Sequence, residues 1–298
     1  MFFSVMVVFA VYALTFIVFE DYDRKHLEPF EEVSDWHLLL FSLAVMAGLA
    51  LLLHRYARRM DERISREQSA KENQMRRELT QNIAHELTPP VASILGYTDT
   101  ILDDPQMSVK TQRQFIQRTN AKAQRLTALL QDISTLNRMD YAAHQLTMER
   151  TDVSVIVRDI VLETTIALEK RHMTLNNCLP QSIIIQGNRS LIYSIFRNLI
   201  DNAVNYAGED TTIDISAEPS GDYWAFGFSD NGAGIAPMHL SRIFERFYRI
   251  DKSRSRQMGG TGLGLAIVKN AVLLHGGTIT ARLADSGGLA FDFTLKKK

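Results

Sequence analysis

Apolar residues come first in two unbroken runs and after that in periodic patterns. Residues 2–19 (FFSVMVVFAVYALTFIVF) contain no charge, and residues 36–53 (WHLLLFSLAVMAGLALLL) contain only the titratable His37. Eighteen helical residues reach about 27 Å, close to the roughly 30 Å hydrocarbon core of a bilayer. Both runs are expected to be transmembrane helices joined by a short external loop, residues 20–35. A cleaved leader would need a basic start and a small-residue cleavage site, and the first run offers neither.

From Ala57 to about Tyr97 the pattern turns helical and strongly charged (RRMDERISREQSAKENQMRREL). Residues 54–74 read as a signalling helix that carries the chain from the second span toward His85, with no room for a folded module between. The turn DDPQMS, Asp103 to Ser108, is broken by Pro105. A second helix from Val109 to Met139 puts Phe115, Ile116, Leu126, Leu129, Leu130, Ile133, Leu136 and Met139 on one stripe. Two long amphipathic helices across a short turn predict an antiparallel hairpin over residues 75–142. Such a hairpin leaves its stripe exposed, so two copies are expected to pair into a dimeric four-helix bundle.

The texture changes at residue 146. Seven short strand-like runs follow: LTMER, MTLNNCL, SIIIQG, TTIDISAE, YWAFGFSD, GTITARL and LAFDFTL. Helical runs near 153–171, 189–206 and 263–275 separate them. This predicts an α/β sandwich over residues 146–298, with helices covering one face of a sheet. Asn188 is the expected N-cap of the middle helix, and Asp285 to Gly288 the expected turn of a terminal hairpin.

Charge orients the predicted spans. Residues 20–35 carry seven acids against only Arg24 and Lys25, whereas Arg55, Arg58, Arg59, Arg63 and Arg66 follow the second run. Everything after it is therefore expected in the cytoplasm. Sixteen external residues cannot build a hydrophobic core, so no folded external sensor is expected. A net charge of -1 argues against a chain that coats nucleic acid, and no direct nucleic-acid partner is expected. Cys178 is the single cysteine, which excludes an intrachain disulfide.

Four stretches carry chemistry. In RNLIDNAVNY, Asn198 and Asn202 lie four apart on one helix face, and amide oxygens there suit a hard cation such as Mg²⁺. DNGAGI, Asp230 to Ile235, follows a strand. A carboxylate at that point can accept a hydrogen bond from an exocyclic amine such as that of adenine, and glycines let the backbone approach a ligand. FERFYRIDKS, Phe244 to Ser253, is aromatic and basic. GGTGLGLAIV, Gly259 to Val268, enters a helix whose first N–H groups can bind an anion. No lysine follows these glycines and no strand directly precedes them, so neither a Walker loop nor a dinucleotide fingerprint fits. Taken singly, the asparagine pair reads as an ordinary helix surface and DNGAGI as an ordinary turn.

Their order resembles the ATP-binding domain shared by gyrase-type ATPases, Hsp90-type chaperones and sensor histidine kinases. RNLIDNA is similar to its N box, DNGAGI to its G1 box, FERFYR to its F box and GGTGLGLAI to its G2 box. The F box and the upstream sequence Ala84-His85-Glu86 select the membrane-bound sensor histidine kinases of bacterial two-component systems. The resemblance covers about residues 70–298. It implies that His85 is the phosphoacceptor and that Glu86 orients its ring or takes its proton. It implies ATP and Mg²⁺ as cofactors, with Mg²⁺ on Asn202 and with Asn198, Asn205 and Tyr206 at the nucleotide. Asp230 takes the adenine amine, and Gly232, Gly234 and Ile235 shape that wall. Gly260, Thr261, Gly262, Leu263 and Gly264 border the triphosphate. A lid from about Phe247 to Met258 contributes Phe247, Arg249 and Lys252.

The implied activity is autophosphorylation. Neutral imidazole is a competent nucleophile near neutral pH, because the ordinary imidazole pKa is about 6.5. It attacks the γ-phosphorus of ATP, in a transfer that depends on alignment and charge neutralisation. The phosphoryl group then passes to an aspartate of a separate response regulator, since no receiver-like segment is seen. The implied location is the bacterial cytoplasmic (inner) membrane. A membrane-tethered ATPase or pseudokinase that makes no phosphohistidine shares the four boxes and makes His85 dispensable.

Two departures stand out. Asn205 fills a place where lysine or arginine is common, so a phosphate contact falls to Arg249 or Lys252. In AHELTPP, residues 84–90, Pro89 replaces the family's Thr or Asn before Pro90. Together the prolines remove the N–H groups that would bond the carbonyls of His85 and Glu86, and a bend is expected there. Proline cannot position water, so weak phosphatase activity is expected.

Overall fold

The computed structural model describes residues 35–141, 146–251 and 260–298. The expected first span, 2–19, and residues 20–34 of the loop after it lie outside the described residues. So do Lys252 and most of the expected lid. Helix α1 runs from Asp35 to Asp103 and takes in the second apolar run. On it Leu43, Val45, Met46, Leu51, Leu52 and Leu53 are exposed. Among the described residues, no helix is long and apolar enough to cross a membrane. The structure therefore gives no support to the span expected at 36–53. Within α1 the apolar stretch gives way to Arg55, Arg58 and Arg59.

The chain divides after Glu78 into two compact units. The second unit, from Leu79, holds the hairpin and the C-terminal domain. Its part of α1 stays helical through Pro89 and Pro90, so the prolines delete two backbone donors without ending the helix. After Asp103 the turn is held by Asp104, whose Oδ1 accepts the Gln106 N–H at 3.1 Å. Ser108 then caps helix α2 (Val109–Tyr141), accepting the Thr111 N–H at 3.2 Å. The helices are antiparallel. Tyr97 meets Phe115 with ring centroids 5.5 Å apart, while Glu86, earlier on α1, meets Arg125, later on α2.

The C-terminal domain runs β1 (Glu149–Asp152), α3 (Val153–Glu169), β2 (Thr174–Cys178), β3 (Ile184–Gly187), α4 (Arg189–Tyr206), β4 (Thr212–Ser220) and β5 (Tyr223–Asp230). After a 3₁₀ turn at Pro237–His239 come α5 (Gly264–Leu274), β6 (Ile279–Leu283) and β7 (Leu289–Lys296). Five strands form one sheet in the order β2-β4-β5-β7-β6, and β1 pairs separately with β3. The β2–β4 pair is parallel and the other ladders are antiparallel. All seven strand-like runs of the sequence thus become strands, and Asn188 caps α4 by accepting the Leu191 N–H at 3.1 Å.

Alternation along β5 puts Phe226, Phe228 and Asp230 on its buried face. Phe226 stacks on Phe293 of β7 with centroids 5.1 Å apart, and Phe196 of α4 meets both edge-on at 5.6 and 5.7 Å. These three rings seat α4 across the β5–β7 pair. The hairpin joins the same core. Leu129, Leu136 and Met139 of α2 are 4%, 2% and 4% exposed, whereas Ile116 and Leu130 remain exposed. The stripe expected to serve only dimerisation is therefore divided. Part of it lies under this chain's own C-terminal domain, where α2 packs on α5.

Candidate active site

Asp230 ends β5 on its core-facing side, where an apolar residue would ordinarily continue the pattern. It is 5% exposed. Its Oδ1 accepts the Gly232 N–H at 2.9 Å and the Leu289 N–H at 3.4 Å. Burial pushes this carboxyl above the usual carboxylate range, and the two backbone donors only partly offset that. The glycines around it are required by space. A Cβ on Gly232 would lie 2.2 Å from the Ala207 carbonyl oxygen, and one on Gly288 would lie 2.3 Å from Asp230. The G1 turn thus rests directly on the C-terminal end of α4.

Helix α4 carries the asparagines. Asn198 donates from Nδ2 to the Ser194 carbonyl at 2.8 Å, which turns its Oδ1 toward α5. A Cβ on Gly264, the first residue of α5, would sit 2.6 Å from that oxygen. Asn202 and Asn205 are half-buried further along the helix, and Tyr206 is exposed. Leu263 is wholly buried and donates its N–H to Thr261 Oγ1 at 3.2 Å. Its side chain anchors the glycine loop in the core.

The F box closes on the same loop. Phe247 adopts φ +61°, and its N–H donates to the Gly262 carbonyl at 2.8 Å. Gly262 has φ +74°, and a Cβ there would stand 3.0 Å from Phe247 Cα. Arg249 donates from Nη2 to the Gly260 carbonyl at 2.6 Å. The G2 loop thus touches the N box at Asn198 and the F box at Phe247 and Arg249, while the G1 turn abuts the end of the helix that carries the N box.

The hairpin meets this assembly through its acids. Glu86 receives Arg249 at 3.2 Å and Arg125 at 3.5 Å. The Arg249 side chain is only 5% exposed, and its Nε is buried without a hydrogen-bond partner among the described residues. Thr261 Oγ1 donates to Asp132 Oδ2 at 2.7 Å, and Arg246 donates to Asp140 at 2.8 Å. Burial lifts the Asp132 carboxyl above its usual range, Thr261 opposes this, and nearby Asp201 adds to it. His85 is exposed on α1, while Glu86 faces the C-terminal domain.

Sequence reasoning missed Arg125, Asp132 and Asp140. One signal was available. Asp132 falls three residues after Leu129 and four before Leu136, at the spacing of a buried stripe. An acid at such a position needs a partner.

The donor set fits a magnesium nucleotide. It offers a carboxylate acceptor in a cradle without room for Cβ atoms, amide oxygens on one helix face and a glycine loop opening a helix.

Comparison with known proteins agrees. Residues 187–298 match the family described as histidine kinase-, DNA gyrase B-, and HSP90-like ATPase, and residues 75–142 match the His Kinase A (phospho-acceptor) domain. The chain is 34% identical over 223 residues to the sensor-like histidine kinase SenX3 of Mycolicibacterium smegmatis, covering 74% of this chain and 56% of that protein. The chain spans about half the length of the curated relatives it matches. The fold is similar to that of the Acinetobacter baumannii histidine kinase AdeS, with TM-score 0.56, 24% identity, and 72% of this chain and 98% of that chain covered. It is also similar to histidine kinase ThkA in a complex with response regulator protein TrrA. There the TM-score is 0.56 at 21% identity, over 74% of this chain and 61% of that chain. With both a phosphoacceptor hairpin and a histidine-kinase-type ATPase domain, the chain belongs to the two-component sensor histidine kinases.

Proposed function

We propose that this chain is an ATP-dependent protein-histidine kinase that phosphorylates His85 and passes the phosphoryl group to an aspartate of a response regulator. The observation that carries the reading is the packing of the G2 loop on the N and F boxes, with the buried Asp230 cradle against the end of the N-box helix, in one compact unit with a hairpin that exposes His85.

In this reading Asp230 accepts the adenine amine, and the glycines at 232 and 234 let the base approach. Asn202, with Asn198 beside it, holds the magnesium ion, whose charge offsets that of the phosphates when bound. The loop from Gly260 to Gly264 presents backbone N–H groups to the triphosphate. An imidazole nitrogen of His85 bonds to the γ-phosphorus, the bond to the ADP oxygen breaks, and the ring loses a proton. Glu86 takes that proton once it is free of Arg249. In the second transfer the phosphorus leaves His85 for a carboxylate oxygen of the regulator. The complex of ThkA with TrrA supports a regulator as a separate protein.

Two copies are proposed to pair through the apolar residues that stay exposed on the hairpin, including Val91, Leu95, Ile116 and Leu130. A bacterial inner-membrane location with two spans rests on the two apolar runs of the sequence and the arginines after Leu53. The domain limits 54–74, 75–142 and 146–298 are part of the same proposal.

The test incubates the chain with γ-labelled ATP. Acid-labile, alkali-stable label that disappears in His85→Ala and in Asn202→Ala is expected. ATP hydrolysis without any protein-bound label would instead favour the pseudokinase.

A further inference from the structure

Polar contacts between described residues of the hairpin and the C-terminal domain include three that run the same way. The domain supplies the donors Arg249, Thr261 and Arg246, and the hairpin supplies the carboxylates Glu86, Asp132 and Asp140. Carboxylate and phosphate oxygens accept from the same donors in similar geometries. Two of these donors flank the glycine loop. Thr261 lies within it, and Arg249 donates to the carbonyl of Gly260 at its start.

We propose that Glu86 and Asp132 are stand-ins for nucleotide phosphates, so that docking of the hairpin and binding of the triphosphate exclude one another at Arg249 and Thr261. This rests on the reading of the glycine loop as a triphosphate site. The docked state is a closed, resting form. Arg249 has its guanidinium buried between Glu86 and Gly260, and Glu86 is spent on Arg249 and Arg125 instead of serving His85. Triphosphate entry takes Arg249 and Thr261 away from the hairpin. The same event fills the nucleotide site and releases the acid next to the phosphoacceptor. Because the coupling is reciprocal, anything that loosens the hairpin also tightens ATP binding.

The arrangement is specific about ligand chemistry. Asp230 and its glycine cradle are untouched by the hairpin contacts, so the base can bind in the docked state. Only the phosphate end of a nucleotide meets competition. Adenosine should therefore bind without undocking the hairpin, whereas Mg-ATP should undock it.

The test places spin labels on the exposed Cys178 and on a cysteine introduced by Gln114→Cys. It uses the full chain diluted with unlabelled chain, so that distances within one chain dominate. A single distance is expected without nucleotide and with saturating adenosine, and a longer or broader distribution with saturating Mg-ATP. Glu86→Gln and Asp132→Asn should each show part of that broad distribution without nucleotide and bind Mg-ATP about tenfold tighter. Their adenosine affinity should be unchanged, which also reports that each variant is folded, and either variant alone suffices. An unchanged distance at saturating ATP, with ATP bound, overturns the exclusion and leaves the nucleotide site standing. Failure of every form to bind ATP overturns the nucleotide reading and this inference with it.

Discussion

The backbone N–H of Asn188 donates to Nε2 of His275 at 3.0 Å, while Nδ1 of the same ring lies 2.6 Å from the Ala271 carbonyl. A carbonyl only accepts, so Nδ1 carries the proton and Nε2 must be bare. The ring is therefore held neutral, joining the cap of α4 to the end of α5, and burial lowers its pKa below the usual histidine value. Protonation thus costs more in the folded state than in the unfolded chain. Stability should be full above the unfolded value of about 6.5 and should fall as pH drops below it, by up to about 1.4 kcal/mol per pH unit, until the folded pKa is passed. Thermal melts between pH 7.5 and 5 check this. The acid-side slope should flatten in His275→Gln, and an equal slope in that variant would assign the loss to other groups.

Asp230→Asn keeps the shape of the site and removes the negative acceptor. A charge-assisted hydrogen bond contributes about 1.5–3 kcal/mol. ATP affinity should drop by about ten- to a hundredfold, read by calorimetry at neutral pH. An unaltered affinity would mean that the base binds elsewhere.

Gly232→Ala should be costly for the fold itself. Its Cβ would meet the Ala207 carbonyl at 2.2 Å, a backbone atom that no rotamer change can move. Overpacking of this kind costs about 1–3 kcal/mol. Denaturant unfolding should show that loss, while Gly96→Ala, with open space around it, should show none of it.

Pro89 is exposed one turn after His85, and Thr88 donates its hydroxyl proton to the Ala84 carbonyl at 2.8 Å. Neither side chain offers a free donor for water. Dephosphorylation of a phosphorylated regulator by the chain should be slow, and Pro89→Thr should speed it about tenfold, the scale of one well-placed polar contact. Equal rates for the two forms would remove Pro89 from the account.

Several strands were readable because they alternate between turn residues, as in YWAFGFSD, and the hairpin because Pro105 separates two helical stripes. The four boxes were readable as local patterns. The pair Pro89 and Pro90 reads as a bend within a continuous helix, and helical bonding on both sides carries α1 through to Asp103. Least legible were Glu86 on Arg249 and Asp132 on Thr261, which join residues 163 and 129 positions apart. Such pairs depend on how one folded body seats on another, and no window of local sequence contains that. The divided stripe of α2 was hidden for the same reason. An apolar position does not say which of two available partners covers it.

Strands β5 and β7 are hydrogen-bonded neighbours, yet the F box, the glycine loop, α5 and β6 all lie between them in the chain. The 33 residues between Asp230 and Gly264 thus form an excursion whose two ends are pinned to the rigid part of the domain. Loop-closure entropy grows only logarithmically, and doubling such a segment costs about 0.6 kcal/mol. Away from Gly232, Ile243, Gly262 and Leu263, which are packed tightly, its length and composition are therefore less constrained than those of the sheet. Insertions and exchanges away from those packed positions should change nucleotide preference long before they change the melting temperature, making the rest of the stretch the natural place to graft new control onto the chain.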